Sequence, residues 1–164
     1  MSKRIIGMTL LMLCLASSAF AAIPRNQMHI GKLKLGMTLE QVTVIYGTPV
    51  ADTSGTKASR RHYYIANGLF GGWIDEKTNS FDQIYFDERK TGADSIIGAG
   101  GIRLGMTIAE VEKQLGKPDS LLGNSPNAAY LYHSVEHGIS WREHDNFNVF
   151  FSNGKVRAFT INVF

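Results

Sequence analysis

The chain has 164 residues and a formal net charge of +3, with 44% hydrophobic and 19% charged residues. This length predicts one ordinary globular domain or two small ones, with enough apolar residues for a core. The positive charge is not clustered, since no basic run is longer than two residues, as at Arg60 and Arg61. Nucleic acids and anionic membranes bind clustered positive charge, so we expect neither as a partner.

Residues 1–21 have the features of a cleaved signal peptide. Lys3 and Arg4 precede an apolar stretch at residues 5–15, and residues 19–21 form an A-x-A cleavage signal. The apolar stretch is shorter than the about 20 residues that a membrane-spanning helix needs, which disfavours an uncleaved anchor. We therefore predict an exported protein without a stable membrane anchor. It is periplasmic, or secreted if the source has no outer membrane.

The single cysteine, Cys14, lies within this segment. A lipid-attachment cysteine follows a small residue at the end of the apolar run, whereas Cys14 follows Leu13 inside it. We interpret Cys14 as an ordinary signal-peptide residue. The mature chain then has no disulfide, no thiol nucleophile and no cysteine metal site.

A sequence pattern occurs twice in the chain, 69 positions apart. Residues 35–49 and 104–118 share Leu-Gly-Met-Thr, then a valine, a glycine and a proline at the same spacing. In each copy a threonine, Thr38 or Thr107, begins a capping box and apolar residues follow at helical spacing. The glycine and proline then end the helix. The pattern predicts two copies of one structural unit, and we interpret its residues as structural rather than as a site.

Segments that alternate or are rich in aromatic residues follow each helix and predict antiparallel strands. They are residues 61–66, 72–75 and 81–88 in the first copy, and residues 129–133, 138–142, 148–151 and 156–164 in the second. Asn153 and Gly154 predict a tight hairpin before the last strand. We therefore predict an α+β fold of two tandem repeats, each a short helical segment packed on an antiparallel β-meander. Repeat 1 covers residues 22–97 and repeat 2 covers residues 98–164, which begins with a glycine-rich junction.

The pattern Leu-Gly-Met-Thr-x-x-x-Val-x-x-x-x-Gly-x-Pro resembles the opening helix of the SmpA/OmlA (BamE-like) family. Residues 149–156 are similar to the last hairpin of that family, apolar-x-Phe-x-Asn-Gly-x-Val. The tandem arrangement resembles β-lactamase inhibitory protein, which has two such units. These resemblances imply a protein-binding module that takes part in cell-envelope interaction or assembly. The alternative that they imply is an inhibitor of a secreted or periplasmic hydrolase.

One region is rich in side chains that can bind metals. Its members are His133, Glu136, His137, Glu143, His144 and Asp145. A zinc site needs three or four converging ligands, and neighbours on a hairpin seldom converge in this way. We expect turn and solvent-facing residues in this region, with a small-ligand or metal site as a second alternative function.

Sequence motifs of known catalytic sites do not occur in the chain. It lacks a nucleophile elbow, a Walker loop, a dinucleotide fingerprint and an H-E-x-x-H motif. We therefore expect a protein that is not an enzyme, with no catalytic residues, no cofactor and no metal ligands.

Alternation along the predicted strands gives the sheet two different faces. The side chains expected to face the helices are Ile84, Phe86, Ile139, Trp141, Val149, Phe151, Phe159, Ile161 and Val163. The opposite face receives the predicted protein-binding residues Tyr85, Arg142, His144, Phe150 and Thr160. Such a mixture is typical of interface cores, although strand propensity alone also places aromatic residues on a sheet. We predict a non-enzymatic module whose partner is another envelope or secreted protein. Its oligomeric state stays open.

Overall fold

The computed structural model describes residues 23–53, 59–134 and 145–163. Within these ranges the helices are α1 (Leu39–Tyr46) and α2 (Ile108–Leu115), and single 3₁₀ turns occur at Arg25–Gln27, Ala93–Ser95 and Ala99–Gly101. The strands are β1 (His29–Ile30), β2 (Leu33–Lys34), β3 (Val50–Ala51), β4 (Arg60–Ile65), β5 (Phe70–Asp75), β6 (Ser80–Phe86), β7 (Ser120–Asn124), β8 (Asn127–His133), β9 (Asp145–Ser152) and β10 (Lys155–Val163). Among the described residues, no helix has the length and apolar character needed to cross a bilayer.

Both predicted capping boxes are confirmed. In α1 the Thr38 hydroxyl accepts a hydrogen bond from the Gln41 amide at 3.3 Å, and the Gln41 side chain accepts one from the Thr38 amide at 3.0 Å. Thr107 and Glu110 form the same two bonds at the start of α2, at 3.3 and 2.7 Å. At the start of each helix, two backbone amides without a partner inside the helix thus receive a hydrogen-bond acceptor. Both acceptors lie within three residues in the sequence, so the local sequence pattern could predict these capping boxes.

Eight of the ten described strands form one antiparallel sheet, in the order β3-β4-β5-β6-β10-β9-β8-β7, and β1 pairs with β2 in a separate two-stranded sheet. The two halves of the eight-stranded sheet are joined where β10 pairs with β6, with Thr160 opposite Tyr85 and Ile161 opposite Ile84. The predicted α+β fold of two separate helix-plus-meander repeats is therefore wrong: the protein is mostly β, with two short helices. Each meander alone would leave β6 or β10 with unpaired backbone groups, and pairing these two edges satisfies both. The division at residues 97 and 98 stays a prediction.

The core lies between one face of the eight-stranded sheet and a layer formed by the two helices and the β1–β2 hairpin. The largest fully buried side chains are Tyr132, Phe70, Phe81, Phe147, Phe159, Met28, Ile30, Leu33, Ile65, Ile84, Ile102 and Ile161. Tyr132 donates a hydrogen bond from its hydroxyl to the carbonyl of Gly116 at 3.2 Å, which attaches the end of α2 to the sheet. Tyr46 of α1 packs on Phe70 with ring centroids 5.0 Å apart. The helices therefore cover one face only.

The predicted core is confirmed at the six described positions Ile84, Phe86, Val149, Phe151, Phe159 and Ile161, all of them buried. Val163 is the exception, with 39% of its surface exposed, because it lies at the end of β10 where the sheet stops. Ile139 and Trp141 lie outside the described residues. The predicted hairpin is also confirmed, since Ser152 pairs with Lys155 and both central residues have a positive φ.

Candidate protein-binding face

One face of the sheet is turned away from the helices and is called the outer face. Because side chains alternate along each strand, the neighbours of the buried core residues point to it. From the six central strands it receives His62, Tyr64, Trp73, Gln83, Tyr85, Leu131, Asn146, Asn148, Phe150, Ala158, Thr160 and Asn162. Tyr64 is 44% exposed and Phe150 is 39% exposed. The outer face therefore presents aromatic surface near both ends.

Three of the five predicted binding residues share this face. Tyr85 and Thr160 lie directly opposite each other on β6 and β10, and Phe150 on β9 pairs with the residue two positions before Thr160. Arg142 and His144 lie outside the described residues. The structure thus brings the three described members together, and the binding role of all five stays a prediction.

Tyr85 belongs to a connected group of five side chains, here called the His62 cluster. Its members are Asp52, His62, Tyr64, Trp73 and Tyr85. His62 is only 5% exposed, and its Nε2 atom lies 2.6 Å from the Tyr85 hydroxyl while Nδ1 lies 3.3 Å from the Asp52 carboxylate. The Tyr64 hydroxyl donates a hydrogen bond to the same carboxylate at 3.2 Å. The imidazole ring also contacts the Tyr64 and Trp73 rings, with centroids 4.7 and 5.0 Å away.

Gly71 on β5 lets the Tyr85 ring lie against the sheet. A Cβ atom at position 71 would be 2.3 Å from Cζ of Tyr85, which no ordinary side-chain contact allows. The two residues are opposite each other in the β5–β6 register, so the ring fills the space that a side chain on Gly71 would occupy. A glycine in a strand often marks such a close approach. The ring of Tyr85 therefore packs on the backbone of Gly71, and its hydroxyl is hydrogen bonded to His62.

The hydroxyls of the His62 cluster are neutral at ordinary pH. Burial raises the pKa of Tyr85, and the nearby Tyr64 hydroxyl and Asp52 carboxylate raise it further. The negative charge of Asp52 is the main reason that the pKa of Tyr64 is also raised. A phenol with a raised pKa is a hydrogen-bond donor and acceptor rather than a base.

At the centre of the outer face, Asn148 has an unmet hydrogen-bonding capacity. Its amide nitrogen donates to Thr160 Oγ1 at 3.1 Å and to Asn162 Oδ1 at 2.6 Å. Its own Oδ1 atom is buried and has no hydrogen-bond partner within the described part of the chain. A buried acceptor without a donor is rare in native proteins, because desolvation of the carbonyl is then not compensated.

Beyond Asn148 the outer face becomes apolar. Phe150 on β9 pairs with Ala129 on β8, which pairs with Leu122 on β7. Leu122 is 60% exposed. The small Ala129 side chain thus lies between two larger exposed ones and makes a shallow apolar strip at this end of the sheet.

A groove of about 730 Å³ borders the other end of the face. Its lining includes Tyr46, Tyr64, Asn67, Arg89 and Lys90. It shares Tyr64 with the His62 cluster and also includes Val50, so it extends the aromatic surface to the edge strand β3.

The guanidinium of Arg89, in the wall of this groove, is held by Asp87. Nε of Arg89 donates to Oδ1 of Asp87 at 2.9 Å and Nη2 donates to Oδ2 at 3.0 Å. These hydrogen bonds from Arg89 lower the pKa of Asp87 to about 2. The arginine is therefore positioned by a carboxylate that stays charged across ordinary pH.

The described members of the predicted metal-ligand region have other contacts. His133 Nδ1 is hydrogen bonded to the side chain of Asn146 on the next strand. Asp145 is 1% exposed and its carboxylate lies 2.5 Å from Nε of Arg25. Glu136, His137, Glu143 and His144 lie outside the described residues. Within the described ranges, no three His, Cys, Asp or Glu side chains come together as metal ligands.

The sequence interpretation did not include Asp52, His62, Tyr64 or Trp73 in the site. His62 and Tyr64 are two residues apart in a strand, so alternation alone places them on one face. Their relation to Tyr85 depends on the registers of β4 with β5 and of β5 with β6, which put Gly71 between Tyr64 and Tyr85. The only sequence signal for this cluster was therefore the i, i+2 spacing of His62 and Tyr64, which predicts that both side chains lie on the same face of a strand.

The fold and the outer face define a mostly β protein with one large antiparallel sheet and helices on one side. No family model matches the chain, and no curated protein matches it. A solved structure similar to it is a DUF4309 family protein (YjgB) from Bacillus subtilis subsp. subtilis str. 168, with 16% sequence identity, 77% of this chain and 78% of that chain covered, and a TM-score of 0.42. A likeness this distant carries no argument about function.

The resemblance to the SmpA/OmlA (BamE-like) family is overturned by these findings, and so is the arrangement like β-lactamase inhibitory protein. No family model matches the chain, and the two sequence copies build one continuous sheet rather than two BamE-like units. The shared motif is explained by helix capping and helix ends, which unrelated proteins also need.

Proposed function

We propose that this protein is a non-enzymatic, exported binding module whose outer face contacts another envelope or secreted protein. The observation that carries the proposal is the fixed position of Tyr85 between Gly71 and His62. An aromatic side chain that is already ordered loses little conformational entropy when a partner covers it. Tyrosine is also among the residues that contribute most to binding energy at protein interfaces.

The Oδ1 atom of Asn148, which is buried without a hydrogen-bond partner among the described residues, supports the same proposal. It lies in the middle of the outer face, beside the predicted binding residue Thr160. A hydroxyl or amide donor from a partner would satisfy it, whereas an apolar cover would leave its desolvation uncompensated. The centre of the interface is therefore expected to be polar, with aromatic and apolar contacts on either side.

The dimensions of the outer face are sufficient for such a contact. Eight strands have seven spacings of about 4.8 Å, so the sheet is about 34 Å wide. A standard interface buries about 800 Å² on each partner. The outer face has this width and is as long as the strands that form it, so it can supply that area.

The test is a crosslinking pull-down from an envelope extract of the source organism. The bait is the mature protein, compared with the double variant Tyr64→Ala, Phe150→Ala and with Arg142→Ala, Phe150→Ala. The control is Val44→Ala, since Val44 is 87% exposed but lies on α1. We expect both double variants to lose the crosslinked partner. Arg142→Ala, Phe150→Ala, which leaves the His62 cluster intact, should do so with little change in melting temperature. Unchanged capture by both double variants would rule out the outer face as the binding surface.

The two alternative functions have less support. The hydrolase-inhibitor hypothesis depended on a resemblance that the comparisons overturn. The hypothesis of a small-ligand or metal site at residues 133–145 stays a prediction, since most of its residues lie outside the described ranges. Metal analysis of protein purified without a histidine tag tests it directly.

A further inference from the structure

The groove beside the outer face has the size of a small-molecule site. Its walls come from the end of α1, the edge strand β3, the turn between β4 and β5, and the residues that follow β6. Its volume of about 730 Å³ lies within the range of about 300–1,000 Å³ that such sites have. A second depression of about 270 Å³ adjoins it and shares Tyr64, Gly68, Asp87 and Arg89 with its lining. The groove can therefore hold a ligand with a ring system.

Two tyrosine rings line the groove, and both are fixed by hydrogen bonds within the protein. The Tyr46 hydroxyl accepts a hydrogen bond from the Lys32 amide at 3.1 Å. The Tyr64 hydroxyl donates one to the Asp52 carboxylate at 3.2 Å. An aromatic wall that is already ordered loses little conformational entropy when a ligand packs on it. These walls therefore favour a flat ring as the apolar part of a ligand.

The polar wall of the groove carries two cations and one carboxylate. Nε and Nη2 of Arg89 donate to Asp87, whereas Nη1 has no hydrogen bond within the described ranges. Lys90 lies across the turn between β4 and β5, and its Nζ atom is 3.7 Å from the place that a Cβ atom on Gly68 would occupy. In the described part of the chain this ammonium has no hydrogen bond and no ion pair. Two positive charges less one negative charge leave the groove with a net charge of +1.

Positive charge and aromatic surface line the same space. Tyr64 and Arg89 border both the groove and the depression beside it, so one ligand can reach the two kinds of wall together. A neutral ligand would leave the net positive charge unmatched, and an inorganic anion would leave the rings uncovered. A ligand with both features uses the whole lining, and apolar walls with a few placed polar groups are the common form of a small-molecule site.

We propose that this groove binds a small molecule with a flat ring and one carboxylate. The ring packs on Tyr46 and Tyr64, and the carboxylate accepts hydrogen bonds from Nζ of Lys90 and Nη1 of Arg89. Such bonds between charged groups are stronger than neutral ones. A single carboxylate also matches the net charge of the groove. This inference goes beyond the proposed function, because it needs no protein partner and assigns a different class of ligand.

The experiment titrates the mature protein with 2-naphthoate and follows the backbone amides by NMR. We expect the amides of residues 66–68 and 87–90 to shift, with a dissociation constant of about 1 mM, which is ordinary for a probe of this size. 2-Naphthamide has the same ring but no charge, so it is expected to bind about tenfold more weakly. The difference between the two probes isolates the contribution of the carboxylate.

Variants then assign the contacts. Lys90→Gln removes the ammonium and is expected to weaken 2-naphthoate binding about tenfold. Lys77→Gln is the matched control, since Lys77 is exposed in the turn between β5 and β6, at the opposite end of β5 from the groove. Tyr64→Ala removes one aromatic wall and is expected to weaken binding about tenfold, whereas Tyr64→Phe keeps the ring and should stay within about twofold.

Equal binding of 2-naphthoate and 2-naphthamide would overturn the proposal, and so would unchanged affinity of Lys90→Gln or amide shifts confined to other residues. A failure of 2-naphthoate to bind has the same meaning. Binding of 2-naphthyl phosphate about tenfold more tightly than 2-naphthoate would overturn the carboxylate in favour of a phosphate. None of these outcomes bears on the proposed function, because that function is tested by loss of a crosslinked protein and not by ligand binding.

Discussion

The hydroxyl of Tyr85 lies 2.6 Å from Nε2 of His62, two strands away across Gly71. The two rings are nearly parallel, with an interplanar angle of 7°. His62 is buried on the outer face, so its ring nitrogens depend on Asp52 and Tyr85 for hydrogen bonds. This relationship makes Tyr85 a structural and a candidate binding residue at once, and it can be tested without a partner.

Tyr85→Phe is expected to destabilise the protein by about 1–3 kcal/mol, because it leaves Nε2 of His62 buried without its partner. Urea unfolding of the mature protein measures the change. Tyr64→Phe is the matched variant: it also removes a tyrosine hydroxyl from the His62 cluster, but from a side chain that is 44% exposed. We expect a smaller loss from it. An equal loss from both variants would show that burial of His62 is not the cause.

Gly71→Ala is expected to cost about 1–3 kcal/mol, since its Cβ would be 2.3 Å from Cζ of Tyr85 and the ring must move. Moving the ring also breaks the hydrogen bond to His62. In a Tyr85→Ala background the same substitution meets no ring, so its cost should largely disappear. A double-mutant cycle in urea gives this coupling directly, and additive costs would refute the contact.

Removing the caps should weaken both helices equally. Thr38→Ala and Thr107→Ala are each expected to lower the free energy of unfolding by about 1 kcal/mol, because each removes the acceptor for a helix amide. Thr48→Ala, at an exposed position after the end of α1, serves as the control and should change little. Thermal unfolding followed by circular dichroism measures all three, and a neutral result for either cap variant contradicts the capping role.

Asp87 should titrate far below an ordinary aspartate. Hydrogen bonds from Arg89 lower its pKa from 3.8 to about 2, so the folded state holds the proton less tightly than the unfolded state. The stabilisation is complete above the unfolded pKa and is lost as the pH falls through the folded one, that is, between about pH 4 and pH 2. Carbon-13 NMR of the carboxyl group gives the midpoint. Arg89→Gln is expected to return it toward 3.8, and an unchanged midpoint would contradict the assigned cause.

Several features of the fold could not be read from the sequence. Strand β7 was missed because Ser-Leu-Leu-Gly-Asn does not alternate, and it is a strand only through its pairing with β8. The His62 cluster was missed because its members come from β3–β4, β5 and β6, and only the strand registers bring them together. The outer-face positions of Tyr85, Phe150 and Thr160, in contrast, followed from simple alternation.

The sequence by itself determined the two helices, their caps, the last hairpin and the side of the sheet that residues 84–86, 148–151 and 158–162 face. These features depend on contacts within a few residues or on the two-residue period of a strand, and both can be recognised in a short stretch of sequence. Only the tertiary structure decided that the two copies share one sheet, because the pairing of Tyr85 with Thr160 satisfies backbone groups far apart in the chain. It also decided that β7 is the last strand at one side of the described sheet and that His62 is buried on the outer face. The repeated sequence pattern predicted two separate units, whereas the pairing of β6 with β10 joins them in one sheet.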